Sequence, residues 1–424
     1  MPGRASDPSS SSAASRALVL ARTSGASWFE AHLQRLADLP AHGNRKLTCD
    51  KLVMGLLLSF FDPLARSLRT IEAHGDFGGR LTFGGRLALG SDLRRLAKST
   101  TADALSVFNP RLLLPIIDDL KARCPGLCHD DPALHVLSQR IIAADGTYFN
   151  TFCDVAWALK HTKTNGKKQA QVRANVQLDV ATWCPQVVTL SGDDGDGEAG
   201  AFARDLLPGV LYVVDRNFIA FPFLGGVLAA GSEFIVRTKT TAPTLEVITT
   251  LPLRAADLEA GVVSDEVVRL VGDMAKRVDL HKRTFRRVRI ETINRAGKPE
   301  TIELLTSLTD SLGVPAATIA AAYRQRWQIE LFFKWLKTFA NLDSLLSTTR
   351  EGISFQLHIA VIAVLAMHVQ TGRPVSLYTL AALAAVARGN QTLEEALEYI
   401  ERREREKDLA KARQARKRAA KKLA

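Results

Sequence analysis

The stretch Tyr323-Arg-Gln-Arg-Trp-Gln-Ile-Glu330-Leu-Phe-Phe-Lys334-Trp-Leu-Lys337 sets the reading of the whole chain. Placed on a helix at about 100° per residue, Tyr323, Arg326, Glu330, Lys334 and Lys337 fall within a wedge of about 80°. Phe332, Leu336 and Phe339 fall on the opposite side, with Ile329 beside them and Phe333 nearer the boundary. One helix thus offers an apolar face to a core and a polar face where a single carboxylate stands among three cations and a tyrosine. A solvated face over a packed one accounts for the amphipathicity. A lone acid among Arg and Lys also suits a surface where a metal ion and a polyanion meet, if other carboxylates join it.

Two candidates lie upstream. Arg140-Ile-Ile-Ala-Ala-Asp145-Gly146 reads as a short buried strand ending in an acid and a glycine turn. Gly209-Val-Leu-Tyr-Val-Val-Asp215-Arg-Asn-Phe reads as a second buried strand ending in an acid. Between them, residues 172–180 and 186–190 read as a hairpin turning around 182–185, and residues 198–207 as a helix. A strand–helix–strand passage implies parallel pairing, since such strands need a crossover. Active-site residues of open α/β sheets gather at strand carboxyl ends. Either aspartate alone suits a turn or a helix cap. Asp145, Asp215 and Glu330 together suit a pair of hard divalent cations held through oxygen, as phosphoryl transfer on DNA requires. Arg326, Lys334 and Lys337 then stand ready to grip flanking phosphates.

At this point the chain resembles the bacterial insertion-sequence DDE transposases of the insertion sequence 4 family. The helix signature of that family runs Tyr, two residues, Arg, three, Glu, six, Lys, and Tyr323, Arg326, Glu330 and Lys337 meet every spacing. Asp145-Gly146 and Asp215-Arg216 match its other two acids, and residues 348–370 resemble the segment that follows its signature. Asn217-Phe218 departs from it, since the family more often has Gly and an aromatic there. The likeness covers residues 135–375 well and the N-terminal part loosely.

The resemblance implies an α/β fold with an RNase H-like catalytic core, a mixed five-stranded sheet flanked by helices, over 135–232 and 310–375. A β-rich insertion (233–309), an N-terminal helical DNA-binding domain (21–130) after a disordered lead (1–20), and C-terminal helices with a basic tail (376–424) complete the expected layout. The implied activity is cut-and-paste DNA transposition, with or without a hairpin intermediate. Asp145, Asp215 and Glu330 are the implied triad holding two Mg²⁺ or Mn²⁺ ions. Tyr323, Arg326 and Lys337 are the implied contacts to the cleaved end. Trp327 is a candidate to stack on a base, against ordinary packing. The implied partners are double-stranded DNA, as transposon ends and target, and a second copy of the chain. A non-mobile endonuclease and a catalytically inactive DNA-binding relic are the competing readings.

Composition bounds the rest. A chain of 424 residues, 46% hydrophobic, is long enough for several units. The net charge of +12 favours a polyanionic partner. Much of that charge is local: residues 402–423 hold eleven Lys/Arg against three Asp/Glu. The basic loop 160–173, with Lys163, Lys167 and Lys168, is a candidate for phosphate-backbone contact. The acidic run 193–198 lacks the spacing of a calcium loop and reads as a turn capping the next helix. Five scattered cysteines suit a reducing compartment, and Cys124, Cys128 and His129 lack a second ligand pair for zinc. The apolar run 359–367 is too short to span a bilayer. These features predict a soluble cytoplasmic protein, and the resemblance implies a bacterial one associated with the nucleoid.

Overall fold

The computed structural model describes residues 27–40, 47–60, 67–74, 82–83, 86–87, 96–125, 131–151, 155–162, 166, 168–193, 197–238, 244–293, 297–339, 342, 345–372, 376, 378–379, 381–382, 385 and 391–423. The chain divides into two compact units, Gly126–Lys334 and Met1–Pro125 with Trp335–Ala424. The C-terminal helices therefore belong with the N-terminal ones, and the expected catalytic segment 310–375 is shared between the two units.

In the second of these units the first helices are α1 (Ser27–Ala37), α2 (Cys49–Phe60), α3 (Leu68–His74), α4 (Lys98–Val107) and α5 (Leu114–Arg123). Three of them follow the apolar spacing of the sequence; α4, with Lys, Ser and Thr in its first turn, does not announce itself by pattern. The chain then enters the Gly126–Lys334 unit and builds one ten-stranded sheet. Its strands are β1 (Arg140–Thr151), β2 (Leu159–Thr162), β3 (Lys168–Asp179), β4 (Cys184–Ser191), β5 (Val210–Val214), β6 (Glu233–Arg237), β7 (Leu245–Thr250), β8 (Val262–Leu270), β9 (Thr284–Ile293) and β10 (Pro299–Thr306). The helices among and after them are α6 (Glu198–Phe202), α7 (Phe221–Ala229), α8 (Ala255–Glu259), α9 (Asp273–Arg277), α10 (Ala316–Arg324) and α11 (Trp327–Phe339), the last running across the unit boundary. Beyond it lie α12 (Arg350–Thr371) and α13 (Leu393–Leu423).

Five strands run side by side in the order β4-β3-β1-β5-β6, the first three antiparallel and β1, β5 and β6 parallel. The residues expected to form a β-rich insertion extend this sheet: β10 pairs antiparallel with β6, and β9, β8 and β7 follow. The reason is local. The edge of β6 is free to pair because β6 is the last parallel strand, and β10 returns to it. Ile142, Ala144, Tyr212, Val214, Phe223, Phe234, Val268 and Phe285 form one continuous apolar cluster across both halves. Within it the Tyr212 hydroxyl donates to Gln177 Oε1 at 2.8 Å and accepts from Leu207 N–H at 2.7 Å, so a buried phenol is satisfied.

Three differences from the sequence reading matter. β1 does not stop at Asp145; it continues to Thr151, because β3 pairs with it through Thr151 and no turn is needed at Gly146. The helix expected over 198–207 ends at Phe202. α12, a 22-residue apolar helix, starts on Thr349, whose side chain accepts the Gly352 N–H, and stops at Gly372 in the left-handed conformation. Its Arg350–Val369 stretch is apolar and long enough to cross a membrane, but 89% of it is buried inside the protein, which suits a core helix.

α13 stays helical through the basic tail to Leu423. A capping box starts it: Thr392 Oγ1 accepts from Glu395 N–H and the Glu395 carboxylate accepts from Thr392 N–H. Local acid–base pairs such as Glu401 with Arg405 line its exposed side. Cys128 and His129 lie outside the described residues.

The extended half of the sheet holds a fully buried ion pair. Arg286 on β9 donates from Nε to Asp265 Oδ1 at 2.7 Å and from an Nη to the Val314 carbonyl at 2.6 Å, and both side chains are buried. Replacing Arg286 by Met leaves Asp265 charged and unpaired. We expect Arg286→Met to cost about 3–5 kcal/mol, read as a shifted urea midpoint of the transition that reports this unit. An unchanged midpoint contradicts the pairing.

Candidate active site

The parallel pairing of β1 with β5 ends at Ala144 opposite Val214. The next residue on each strand is an acid, Asp145 on one and Asp215 on the other, so the register sets the two side by side. Asp145 Oδ1 accepts the Gly146 N–H at 2.8 Å. Asp215 also caps a short 3₁₀ turn, accepting the Asn217 N–H at 2.7 Å. The capping role and a place in the site are thus compatible for Asp215, because a carboxylate has two oxygens.

Glu330 reaches the site from the first turn of α11. The segment that carries it is not one continuous α-helix. Between α10 and α11 the hydrogen bonds tighten to the three-residue pattern, with Arg326 N–H on Tyr323 O and Ile329 N–H on Arg326 O. Arg326 sits in that tightened turn. Its guanidinium donates to Glu330 Oε1 and lies 3.8 Å from Asp145 Oδ2, so one cation holds two of the three acids. Behind Glu330, Ile329, Phe332, Phe333, Trp335 and Leu336 are buried, which anchors α11 by its apolar face.

A pocket of about 330 Å³ opens beside Asp215, lined by Asp215, Arg216, Arg237, Glu300, Tyr323 and Arg326. Arg237, at the end of β6, is paired with Glu300 of β10 at 2.5 Å. Burial pushes the Tyr323 phenol up, against the pull of Arg326 and Arg237. Of the other sequence candidates, Lys334 is exposed, Lys337 is half-buried two turns beyond Glu330, and Trp327 is 43% exposed, more open than a packing residue. Lys168 is exposed on β3, while Lys163 and Lys167 lie outside the described residues. Arg173, which ended the basic loop in the sequence reading, is buried and donates from Nε to Asn175 Oδ1 at 2.9 Å, so it faces the protein.

One acid was missed. Glu198 does not belong to a capping turn: the N-cap of α6 is Gly197, without a side-chain cap, and Glu198 opens the helix toward Asp145. Its Oε1 lies against Gly146, in the space a side chain there would need, which puts the carboxyl beside Asp145. Burial first, and Glu198 next, push Asp145 up to about 7, with Asp215 adding to the rise and Arg326 opposing it. Burial raises Glu198 as well, against the nearby Arg173 cation. The donor set is therefore all oxygen and crowded with carboxylates, which fits a hard divalent cation. Its only sequence signal was position: an acid opening the helix that leads into the Asp215 strand.

The transposase DDE domain family matches residues 137–366, more than half of the chain. The chain belongs to that family. Across 205 residues it is 27% identical to a Sinorhizobium fredii protein named as a transposase, covering 47% of this chain and 53% of that protein. Across 198 residues it is 35% identical to the Geobacillus stearothermophilus protein named as the transposase for insertion sequence element IS5377, covering 45% of this chain and 48% of that one. The matched stretch thus spans about half the length of these relatives. A looser likeness, with a TM-score of 0.37 and 11% identity, links 86% of this DDE chain to 76% of the piggyBac transposase chain in a synaptic complex with hairpin DNA.

The Asp-Gly step of this chain has a steric reason. A Cβ on Gly146 would lie 2.4 Å from Glu198 Oε1 and 2.9 Å from Arg173 Cδ. We expect Gly146→Ala to displace both side chains and cost about 1–3 kcal/mol in a denaturant melt. A neutral substitution contradicts the close approach.

Proposed function

We propose that this chain is a cut-and-paste transposase of the insertion sequence 4 type. It binds the terminal inverted repeats of its element as a homodimer, cleaves DNA at their ends and joins those ends to target DNA, in the bacterial nucleoid. The observation that carries the reading is the register of β1 and β5, which sets Asp145 beside Asp215, with Glu330 tied to Asp145 through Arg326. The β4-β3-β1-β5-β6 order with acids at the parallel strand ends supports an RNase H-like core.

In this reading Asp145, Asp215 and Glu330 hold two Mg²⁺ or Mn²⁺ ions. Bound there, the ions lower the pKa of the attacking hydroxyl and stabilise the leaving oxygen. Water supplies the first nucleophile: its oxygen bonds to phosphorus as the P–O3′ bond breaks, and the freed 3′ oxygen takes up a proton. That 3′-hydroxyl is the next nucleophile, attacking either the opposite strand, to form a hairpin, or the target. Arg326, Arg216 and Arg237 face the pocket beside Asp215 and grip phosphate there. Tyr323 positions the same phosphate group. Lys334 and Lys337 extend the cationic face along α11, and Lys168, with Lys163 and Lys167, contacts the backbone farther out. Trp327, being exposed, is placed to stack on an unpaired base.

The test is cleavage of a labelled duplex carrying the repeat that flanks the gene. Asp145→Asn, Asp215→Asn and Glu330→Gln should each lower metal-dependent nicking by more than about 100-fold while repeat binding persists. Nicking by any of the three at the wild-type rate sinks the triad. Binding without cleavage by the wild type favours a DNA-binding relic. Arg326→Ala or Lys337→Ala should each reduce the slope of log affinity against log salt by about 1; an unchanged slope removes that residue from the phosphate contacts.

A further inference from the structure

We propose that Glu198 is a fourth carboxylate of the metal site, giving an oxygen directly to the ion that Asp145 binds. The inference rests on the reading of Asp145, Asp215 and Glu330 as the metal-holding acids.

Glu198 opens α6, between the hairpin partner β4 and the strand β5 that ends in Asp215. The helix start brings its side chain over Gly146, where Oε1 occupies the space a Cβ would fill. That places it one residue along β1 from Asp145, whose own carboxyl accepts the Gly146 N–H, and after burial its charge is the foremost influence raising Asp145. Carboxyls gathered at adjoining positions of one strand are within reach of a common divalent cation. Asp215 acts on both of them as a third negative charge, so Glu198 lies within electrostatic reach of the other acids.

The alternative role for Glu198 is structural. Arg173 is buried and its cation opposes the Glu198 charge; Arg173 also binds Asn175, which donates to Ser191 Oγ at 2.5 Å. If Glu198 served only Arg173, one acid would suffice to neutralise one guanidinium, and nothing would require its approach to Asp145. Arg173 instead fixes the position of Glu198, in the manner of an outer-shell partner that orients a ligand.

The experiment is calorimetric titration of the whole protein with Mn²⁺ alone, paired with thermal melting in chelator. Wild type, Asp145→Asn, Glu198→Gln and Glu198→Asp are compared. The expected result for Glu198→Gln is Mn²⁺ affinity lower by about 10–100-fold, with the melting temperature in chelator not reduced. Glu198→Asp keeps the charge that faces Arg173 but withdraws the carboxylate by one methylene, so it folds even if the glutamine variant does not. It should also bind Mn²⁺ at least about 10-fold more weakly. Wild-type affinity in either folded variant overturns the proposal, as does a lower melting temperature with unchanged affinity, which assigns Glu198 to Arg173 alone. Failure of the wild type to bind Mn²⁺, or an Asp145→Asn variant that binds normally, overturns the triad reading itself.

Discussion

The active-site proposal depends on one constraint, the parallel register of β1 and β5. Their last paired residues, Ala144 and Val214, leave Asp145 and Asp215 as neighbours at the point where the two strands part. A slip of one residue would move every side chain of one strand to the other face and separate the acids. That slip is opposed by burial. Ile142, Ala144, Tyr212 and Val214 sit in the same apolar cluster, and Tyr212 is further pinned by hydrogen bonds to Gln177 and Leu207. The core therefore fixes the chemistry to within a residue.

Given that register, electrostatics shapes the remainder. Burial above all, and the neighbouring carboxylates next, push Asp145 up to about 7. Two guanidiniums relieve part of that negative charge from opposite sides. Arg326 spans Asp145 and Glu330, and Arg173 opposes Glu198 from the buried side. Arg326 sits in the tightened turn between α10 and α11 and reaches both acids from there. The pocket beside Asp215 adds Arg237 and Arg216, so cationic groups border the acids where a phosphate would enter.

Much of this was legible in the residues because two periodicities carry it. The apolar run before Asp145 and that before Asp215 mark buried strands, and the crossover helix between them implies parallel pairing. The amphipathic face around Glu330 follows from 3.6-residue spacing. What escaped did so for physical reasons. Glu198 lay in a run of Asp and Gly that reads as a turn, and nothing local says that it meets Asp145. Arg173 ended a basic loop that looked solvent-facing, whereas β3 buries it. The continuation of the sheet through β10, β9, β8 and β7 depends on pairing β6 with a strand some seventy residues later, as in Thr306 opposite Ile235, a non-local contact that no window of sequence contains. The break before α11 was hidden too, since a tightened turn keeps the same residues near one face.

The most direct measurement is anomalous scattering from Mn²⁺ in crystals of the wild-type protein. The account predicts density enclosed by Asp145, Asp215 and Glu330, with their carboxylate oxygens within about 2.5 Å of an ion. Manganese bound elsewhere with these three acids empty, or no bound ion at concentrations that support cleavage, would contradict it.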